Sequence, residues 1–470
     1  MKLWLEWMKC VIELRPACTR SRSFLWMIVC LIGMTIRVDF FGVTSIVRAL
    51  GLKAYCYDRI LDFLHSSSLN IERLTQLWIK LVLKIFPKPL RVNNRYVLVG
   101  DGLKVAKEGR KMPAVKSLHQ ESQNNSKAEY IMGHSCQAIA LLVGALESFF
   151  AVPLVCRIHE GVKFSNRDHR TLIDKILFMF TTLDLNDLCY FVLDAYYANR
   201  KMVKGIFQDG HHLITRLKSN AVAFYPAPEL SGHKGRGRPK KYGEKVKIQH
   251  LFKEKDQFKT ALSPVYGEKN VSLLYREIKL FWRAAGMLML YVLVIHPTRG
   301  HIMLTSSDLA AAPLDIISLY GLRHKIELSF KNALHVVGTF VYHFWMKTME
   351  RTQRGSGNQY LHHKSNQYRD NIKRKISAYH HHIQLGLIAQ GLLQYFSCVF
   401  PQMVWSKFGS WLRTIRSGIP PSEQVTAIAF RNCFPDFLAD PIQYPIFKKF
   451  LFERIDFSRT EGMRLTAYGG

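Results

Sequence analysis

Two stripes of opposite character run along residues 318–331, SLYGLRHKIELSFK, when this segment is wound as a helix of 3.6 residues per turn. The apolar stripe consists of Leu319, Leu322, Ile326 and Phe330. The polar stripe consists of Tyr320, Arg323, Glu327 and Lys331. Arg and Glu four residues apart are common on solvated helices, but here Arg precedes Glu, which is the weaker orientation, and Gly321 lowers helix propensity. Helix stability alone therefore explains the polar stripe poorly.

The remaining pattern predicts a mixed α/β chain. Residues 1–90 have a helical pattern, and short apolar runs begin at residue 95. RYVLVGD is typical of a strand ending in Asp101, and CYFVLDAYYANRK of a strand ending in Asp194 with a helix behind it. The strands SCQAIALLVG and VPLVCRIHEG and a helical stretch at 170–181 lie between them, and HHLITRLKSNA follows as a fifth strand.

Changes in pattern divide the chain into five regions. Residues 1–90 form a helical N-terminal region, in which 42–65 are compatible with a DNA-binding helix-turn-helix or with an ordinary helical hairpin. Residues 91–224 form the first part of an α/β core, and 225–304 a β-rich insertion with a basic loop. Residues 305–345 return to the core with the Glu327 helix, and 346–470 form a mostly helical C-terminal region suited to multimerisation.

Charge indicates the class of partner. The chain carries 66 Lys and Arg against 35 Asp and Glu, a net charge of +31, which points to a polyanion: nucleic acid or an anionic membrane. The apolar run at 24–34 has about half of the ~20 residues needed to span a bilayer, so we expect a buried helix and no membrane. Nine scattered cysteines without a CxxC pair argue against the usual zinc site and suit a cytoplasmic protein.

Asp101 and Asp194 are candidate ligands of a divalent metal. Each follows a predicted strand, and the ends of adjacent strands bring such side chains within a few ångströms of each other. Crowded carboxylates repel, so a close cluster needs a proton or a cation, and Mg²⁺ prefers oxygen ligands. Two such ions about 4 Å apart assist phosphodiester cleavage. Glu327, on a nearby helix, supplies the third carboxylate of the hypothesis.

The ordered set Asp101, Asp194 and Glu327, together with LYGLRHKIELSFK, resembles the insertion-sequence DDE transposases that carry a YREK signature. Tyr320, Arg323 and Glu327 match that spacing, whereas Leu334 stands where the signature has Lys. Lys331 lies on the same helical face as Glu327, and VGDG and LDAYYAN resemble the two aspartate boxes. The resemblance implies a ribonuclease H-like mixed sheet flanked by helices, with a β-rich insertion before the last catalytic helix.

The resemblance also implies a DNA transposase that performs cut-and-paste transposition. Asp101, Asp194 and Glu327 would hold two Mg²⁺ ions, with Mn²⁺ as a substitute. The protein would act as a homodimer on double-stranded DNA, both terminal inverted repeats and target, in the cytoplasm of a bacterium, associated with the nucleoid. The alternative is a catalytically impaired relative that binds DNA and regulates transposition. A membrane-surface or RNA-binding basic protein would explain the charge but not the three carboxylates.

Six further residues are candidates for DNA contact. By resemblance, Tyr320, Arg323 and Lys331 contact phosphates beside the scissile bond, and Trp282 stacks on a base flipped from the duplex; a core aromatic is the other interpretation of Trp282. GRGRPKK, residues 235–241, is similar to minor-groove hooks, with Arg236 and Arg238 as the inserted side chains. A basic loop that grips phosphates without sequence preference is the alternative there.

Overall fold

The computed structural model describes residues 2–120, 128–185, 187–228, 240–409 and 418–458. The fold is mixed α/β, with a large mixed sheet and flanking helices. The chain divides into two compact units. The first unit comprises Met1–Pro89, Gly102–His169 and Glu327–Gly470, and the second comprises Leu90–Asp101 and Arg170–Ile326.

Helices dominate the first unit. The helices before residue 90 are Lys2–Ile12, Ser21–Ile36, Val43–Ala49, Cys56–Leu64 and Ile71–Ile85. Those after residue 365 are Asn366–Val399, Pro401–Phe408, Glu423–Asn432, Phe434–Ala439 and Pro445–Phe452. The strands Lys116–His119, Tyr130–Ala145 and Ser148–Ile158 complete the unit, together with the short parallel pair Val162–Lys163 and Gln359–Tyr360.

The core of the first unit forms around the helix Asn366–Val399. Its residues 381–394 are all buried, and it packs against the strand Ser148–Ile158 and the helix Ser21–Ile36. The apolar run at 24–34 lies in Ser21–Ile36 and is buried from Trp26 onward, as a buried helix requires. Among the described helices no single one could span a bilayer, although Asn366–Val399 and Pro401–Phe408, bent by 103°, reach the required length and apolarity as a pair.

Lys107 is a buried cation of the first unit. Its side chain is only 3% exposed. The Nζ atom donates hydrogen bonds to the carbonyl oxygens of Phe340 and Tyr342 and lies 3.9 Å from the centre of the Tyr342 ring. Burial lowers the pKa of this ammonium from its ordinary value near 10.5 to about 7.

The depressed pKa of Lys107 makes stability depend on pH. Between pH 7 and 10 the unfolded chain holds a proton that the folded chain has released, so the free energy of unfolding rises with pH in this window. From about pH 6.5 to 8.5 we expect the wild type to gain about 2 kcal/mol relative to Lys107→Met. Urea unfolding of both proteins at the two pH values measures this gain. Parallel pH profiles would contradict the assignment.

The second unit is organised on a mixed sheet. The order of its strands is Tyr242–Lys247, Val222–Pro226, Ser272–Trp282, Met287–His296, Gly300–Ser306, His212–Arg216, Cys189–Leu193 and Arg95–Ala106. The last three are parallel to one another, and the others pair antiparallel. Lys259–Leu262 pairs with Ser272–Trp282. The helices of this unit are Leu172–Thr181, Arg200–Gln208 and Pro313–Leu322, and Lys325–Asn332 begins in it.

Three local predictions are wrong. The strand expected to end at Asp101 runs on to Ala106, because residues 102–106 continue the alternation of exposed and inward-facing side chains. Residues 248–253, inside the region expected to be β-rich, form a 3₁₀ helix. The helix expected over 318–331 is broken into Pro313–Leu322 and Lys325–Asn332. At this break the Nδ1 atom of His324 lies 2.7 Å from the carbonyl oxygen of Gly321, an acceptor that a continuous helix would use internally.

The apolar stripe of this segment nevertheless faces inward. Leu319, Leu322 and Ile326 are at most 3% exposed. The strands predicted between 225 and 304 do not form a separate layer, because Gly300–Ser306 pairs with His212–Arg216 and so extends the sheet that carries Asp194.

Candidate active site

The register of two parallel strands brings Asp101 and Asp194 together. In this ladder Tyr96 pairs with Cys189 and Val99 with Val192, a constant offset of 93 residues. Asp101 and Asp194 are also 93 residues apart, so the same register, continued by two residues, sets them side by side. Neighbouring strands lie about 4.8 Å apart, and residues in register project from the same face. The two carboxylates therefore share one face of the sheet.

Local structure fixes the two aspartates. A side chain at Gly100 would come within 2.7 Å of Leu193 and Phe191, so glycine allows the two strands to approach closely just before Asp101. The carboxylate of Asp194 caps a 3₁₀ turn and accepts a hydrogen bond from the amide of Tyr196 at 2.5 Å. The hydroxyl of Thr215 donates to the carbonyl oxygen of Asp194 at 2.8 Å. Both carboxylates are half-buried.

Arg323 forms an ion pair with Asp101. Its Nη1 atom lies 2.7 Å from Oδ2 of Asp101, and the two side chains are 17% and 20% exposed. The sequence predicts Arg323 as a phosphate contact, and the structure also gives it a carboxylate partner 222 residues away in the chain. The ion pair offsets part of the repulsion between two neighbouring aspartates.

Tyr320 lies beside the same charges. Burial raises the pKa of its hydroxyl, while Arg323, which also hydrogen-bonds it, and Arg216 act in the opposite direction. The charge of Asp194 raises this pKa further. The hydroxyl thus keeps its proton at neutral pH and remains a hydrogen-bond donor.

Arg216 is a candidate site residue that the sequence reasoning missed. The ladder between Cys189–Leu193 and His212–Arg216 has a constant offset of 22 residues, and its continuation places Arg216 beside Asp194. Asp101, Asp194 and Arg216 thus form a row across three parallel strands. The available signal was the position of Arg216 at the end of the strand HLITR, on the same edge as the two aspartates.

A cavity of about 620 Å³ opens next to this row. Its wall combines cationic groups with apolar side chains such as Val294 and Ile317. The polar and aromatic members of the wall are Arg216, Tyr266, His296, Arg299, Tyr320, Arg323 and His324. Glu268 pairs with His296 at 3.0 Å and with Arg299 at 2.6 Å, so Arg216 and Arg323, which lie beside the two aspartates, are the wall residues suited to holding a phosphate group near a metal-binding centre.

Glu327, Lys331 and Leu334 lie on the helical segment that follows Arg323. Glu327 and Lys331 are exposed and one turn apart on Lys325–Asn332. Leu334, at the position of the signature Lys, lies in a π-helical turn, Ala333–Val337. The convergence of Glu327 with the two aspartates stays a prediction.

The DNA-contact candidates of the β-rich region also stay predictions. Trp282 is the last residue of Ser272–Trp282, lies opposite Met287 in the ladder and is half-buried. Arg236 and Arg238 lie outside the described residues.

The donor set suits a divalent cation only in part. Within the described ranges, no group of three or more His, Cys, Asp or Glu side chains is arranged to hold a metal ion. The two adjacent carboxylates of Asp101 and Asp194 are nevertheless hard oxygen donors, and Mg²⁺ often takes only one or two protein carboxylates, filling its remaining positions with water and phosphate oxygens.

Comparison with known proteins gives one family match. The family model described as DDE superfamily endonuclease matches residues 13–265, a range that contains Asp101 and Asp194 and ends before Glu327. No curated protein matches the chain in sequence. Among solved structures, the chain is similar to that of a piggyBac transposase, in a cryo-EM structure of its synaptic complex with hairpin DNA. The TM-score is 0.39 and the identity 10%, over 95% of this chain and 78% of that chain.

Proposed function

Because the chain belongs to the DDE superfamily endonucleases, whose model matches more than half of it, we propose that it is a DNA transposase. It would cut the ends of a mobile element and join them to target DNA. The observation that carries the proposal is the register that sets Asp101 beside Asp194, next to the guanidinium groups of Arg216 and Arg323. Two element ends must be paired for cut-and-paste transposition, so we infer that the protein works on DNA as a homodimer.

The proposed roles of the carboxylates follow from their chemistry. Asp101 and Asp194, with Glu327 as the third carboxylate of the signature, would hold Mg²⁺. Bound there, the metal would supply charge stabilisation and a more acidic water. The site fits Mg²⁺ because Asp101 and Asp194 are adjacent carboxylates that repel each other, and a cation between them relieves this repulsion.

The proposed reaction has two steps. First, the oxygen of a water molecule attacks the phosphorus at the element's end, and the bond from phosphorus to the 3′ oxygen breaks. This leaves a 3′-hydroxyl on the element and a 5′-phosphate on the flank, while the attacking water loses one proton to solvent and the 3′ oxygen gains one. Second, the 3′-hydroxyl attacks a phosphorus in the opposite strand or in target DNA and releases the 3′-hydroxyl of that strand.

The cations beside the aspartates position the substrate in this proposal. A guanidinium presents a fork of N–H donors that matches phosphate oxygens, so Arg216 and Arg323 are suited to hold the phosphates that flank the scissile bond. The protonated Tyr320 hydroxyl adds one donor. Lys331, exposed one turn after Glu327, would add a contact to a phosphate beside the scissile bond.

A plasmid assay tests the proposed function. The substrate carries the inverted repeats that flank the gene, and the control plasmid carries the same repeats with scrambled sequence. With Mg²⁺ or Mn²⁺ we expect nicks that map to the element ends and disappear when EDTA is added. Binding to the repeats without metal-dependent nicking would instead favour the regulator alternative and overturn the enzyme proposal.

A further inference from the structure

Two irregular segments of the first unit lie side by side. One spans residues 107–117 and the other 346–359. The amide of Met346 donates to the carbonyl oxygen of Lys111 at 2.9 Å, and that of Thr352 donates to Arg110 at 2.7 Å. The Nζ atom of Lys111 donates to the carbonyl oxygen of Lys347 at 2.7 Å. These bonds fix the spacing of the basic side chains on both segments.

A groove of about 830 Å³ runs between these segments and the start of the strand Tyr130–Ala145. We call it the first-unit groove. Its wall includes two glycines, Gly109 and Gly355, and the side chains Lys107, Glu108, Arg110, Tyr130, Thr352 and Arg354. Tyr130 is 60% exposed. The groove is therefore open and accessible to a large ligand, and its wall combines these polar and charged groups with apolar side chains such as Val115 and Ile131.

Basic side chains lie in and beside the first-unit groove: Arg110 and Arg354 line its wall, and Lys347 and Arg351 lie on the segment 346–359. Arg110, Lys347, Arg351 and Arg354 are exposed, and in the described part of the chain none of them pairs with a carboxylate. Glu350, on the same segment, is already paired with Lys364 at 2.5 Å. Glu108 contributes one negative charge to the wall. The two short segments therefore carry a net positive charge.

We propose that the first-unit groove binds the phosphate backbone of double-stranded DNA, without reading its sequence. The inference rests on the proposed function, because a duplex substrate continues far beyond any one scissile phosphate. Duplex DNA carries one negative charge per ~1.7 Å of axis, and unpaired Arg and Lys gain affinity from it by releasing counterions. Contacts of this kind orient a protein on DNA and carry no sequence information.

The test compares two triple variants that remove the same charge. The groove variant is Arg110→Gln, Arg351→Gln and Arg354→Gln. The control is Lys9→Gln, Lys84→Gln and Lys373→Gln, whose lysines are exposed but paired with Glu6, Glu13 and Asp370 at 2.8, 2.8 and 3.0 Å. Affinity for a random-sequence duplex is measured in EDTA between about 50 and 200 mM salt.

We expect the binding of the groove variant to depend less steeply on salt than that of the wild type. The slope of log K against log salt should become less negative by about 2–3, with affinity about 10- to 100-fold weaker at ~100 mM salt, while the control keeps the wild-type slope. A wild-type slope in the groove variant would overturn the proposal, as would tighter wild-type binding to an RNA duplex of equal length. If the triple variant fails to fold, Arg354→Gln alone should reduce the slope by about 0.9.

The outcome separates this inference from the proposed function. The groove variant at saturating DNA should still nick element ends in Mg²⁺, because none of its three residues belongs to the catalytic set. Nicking by the wild type together with an unchanged salt slope in the variant would reject the groove alone. A less negative slope in the groove variant, together with a wild type that never nicks, would reject the transposase proposal and keep the groove.

Discussion

Asp194→Asn is expected to reduce metal-dependent nicking by about 10³-fold while leaving the fold intact. The amide oxygen of Asn can still accept the hydrogen bond from the Tyr196 amide that Asp194 accepts at 2.5 Å, so the cap of the 3₁₀ turn survives. What the substitution removes is the negative charge beside Asp101. A divalent cation loses an anionic ligand, and the barrier rises by several kcal/mol.

A matched control is Asp187→Asn. This aspartate of the same unit changes charge in the same way, but it pairs with Arg91 at 2.7 Å and its side chain is 49% exposed. We expect wild-type nicking from it. Binding of the element ends in EDTA should be unchanged in both variants, and their melting temperatures should match the wild type. Wild-type nicking by Asp194→Asn would remove Asp194 from the catalytic set.

Glu327→Gln completes the experiment. Glu327 is exposed, so the substitution leaves the core untouched, and a loss of nicking as large as that of Asp194→Asn with retained binding would support its role as the third carboxylate. Retained nicking would instead assign Glu327 to the solvated face of its helix.

Arg37→Met is expected to lower the free energy of unfolding by about 3 kcal/mol. Arg37 is 2% exposed, and burial lowers the pKa of its guanidinium to about 10. It donates hydrogen bonds to the carbonyl oxygens of Gly42, Val337 and Gly338. Methionine fills much of the same volume but leaves these three acceptors without their donor, and a buried unsatisfied polar group costs about 1–3 kcal/mol.

The control for Arg37→Met is Arg48→Met, which removes a cation a short distance away in the chain. Arg48 pairs with Asp39 at 2.6 Å, but both side chains are partly exposed, at 36% and 29%. Exposed ion pairs contribute at most about 1 kcal/mol. Urea unfolding of both variants measures the difference. Equal destabilisation would show that the buried carbonyl contacts of Arg37 do not contribute as described.

The sequence predicts the elements that carry the aspartates better than it predicts their pairing. CYFVL is a continuous apolar run ending at a charged residue, so the strand before Asp194 is evident. The strand through Asp101 was expected to end too early, although residues 102–106 alternate in a visible way: Leu103 and Val105 point inward between exposed neighbours. The glycines of VGDG suggest a turn, whereas Gly100 permits close packing against Phe191.

Contacts between distant residues could not be predicted from local pattern. The ion pair of Arg323 with Asp101 joins residues 222 positions apart, and the alignment of Arg216 with Asp194 depends on the register of a ladder. At the break in the Glu327 helix, the side chain of His324 lies within hydrogen-bonding distance of the Gly321 carbonyl oxygen. Each of these features depends on tertiary structure or on a single side chain, and apolar periodicity encodes neither.

The shared offset of 93 residues has a consequence for how this chain should be aligned with its relatives. Asp101 lies five residues after Tyr96, and Asp194 five residues after Cys189, the first pair of the ladder. Insertions between the two strands alter the spacing of the aspartates but not their pairing. A single deletion inside either five-residue stretch would turn one carboxylate to the opposite face of the sheet. Distance from the start of each strand, rather than separation along the chain, is therefore the constraint that evolution must preserve.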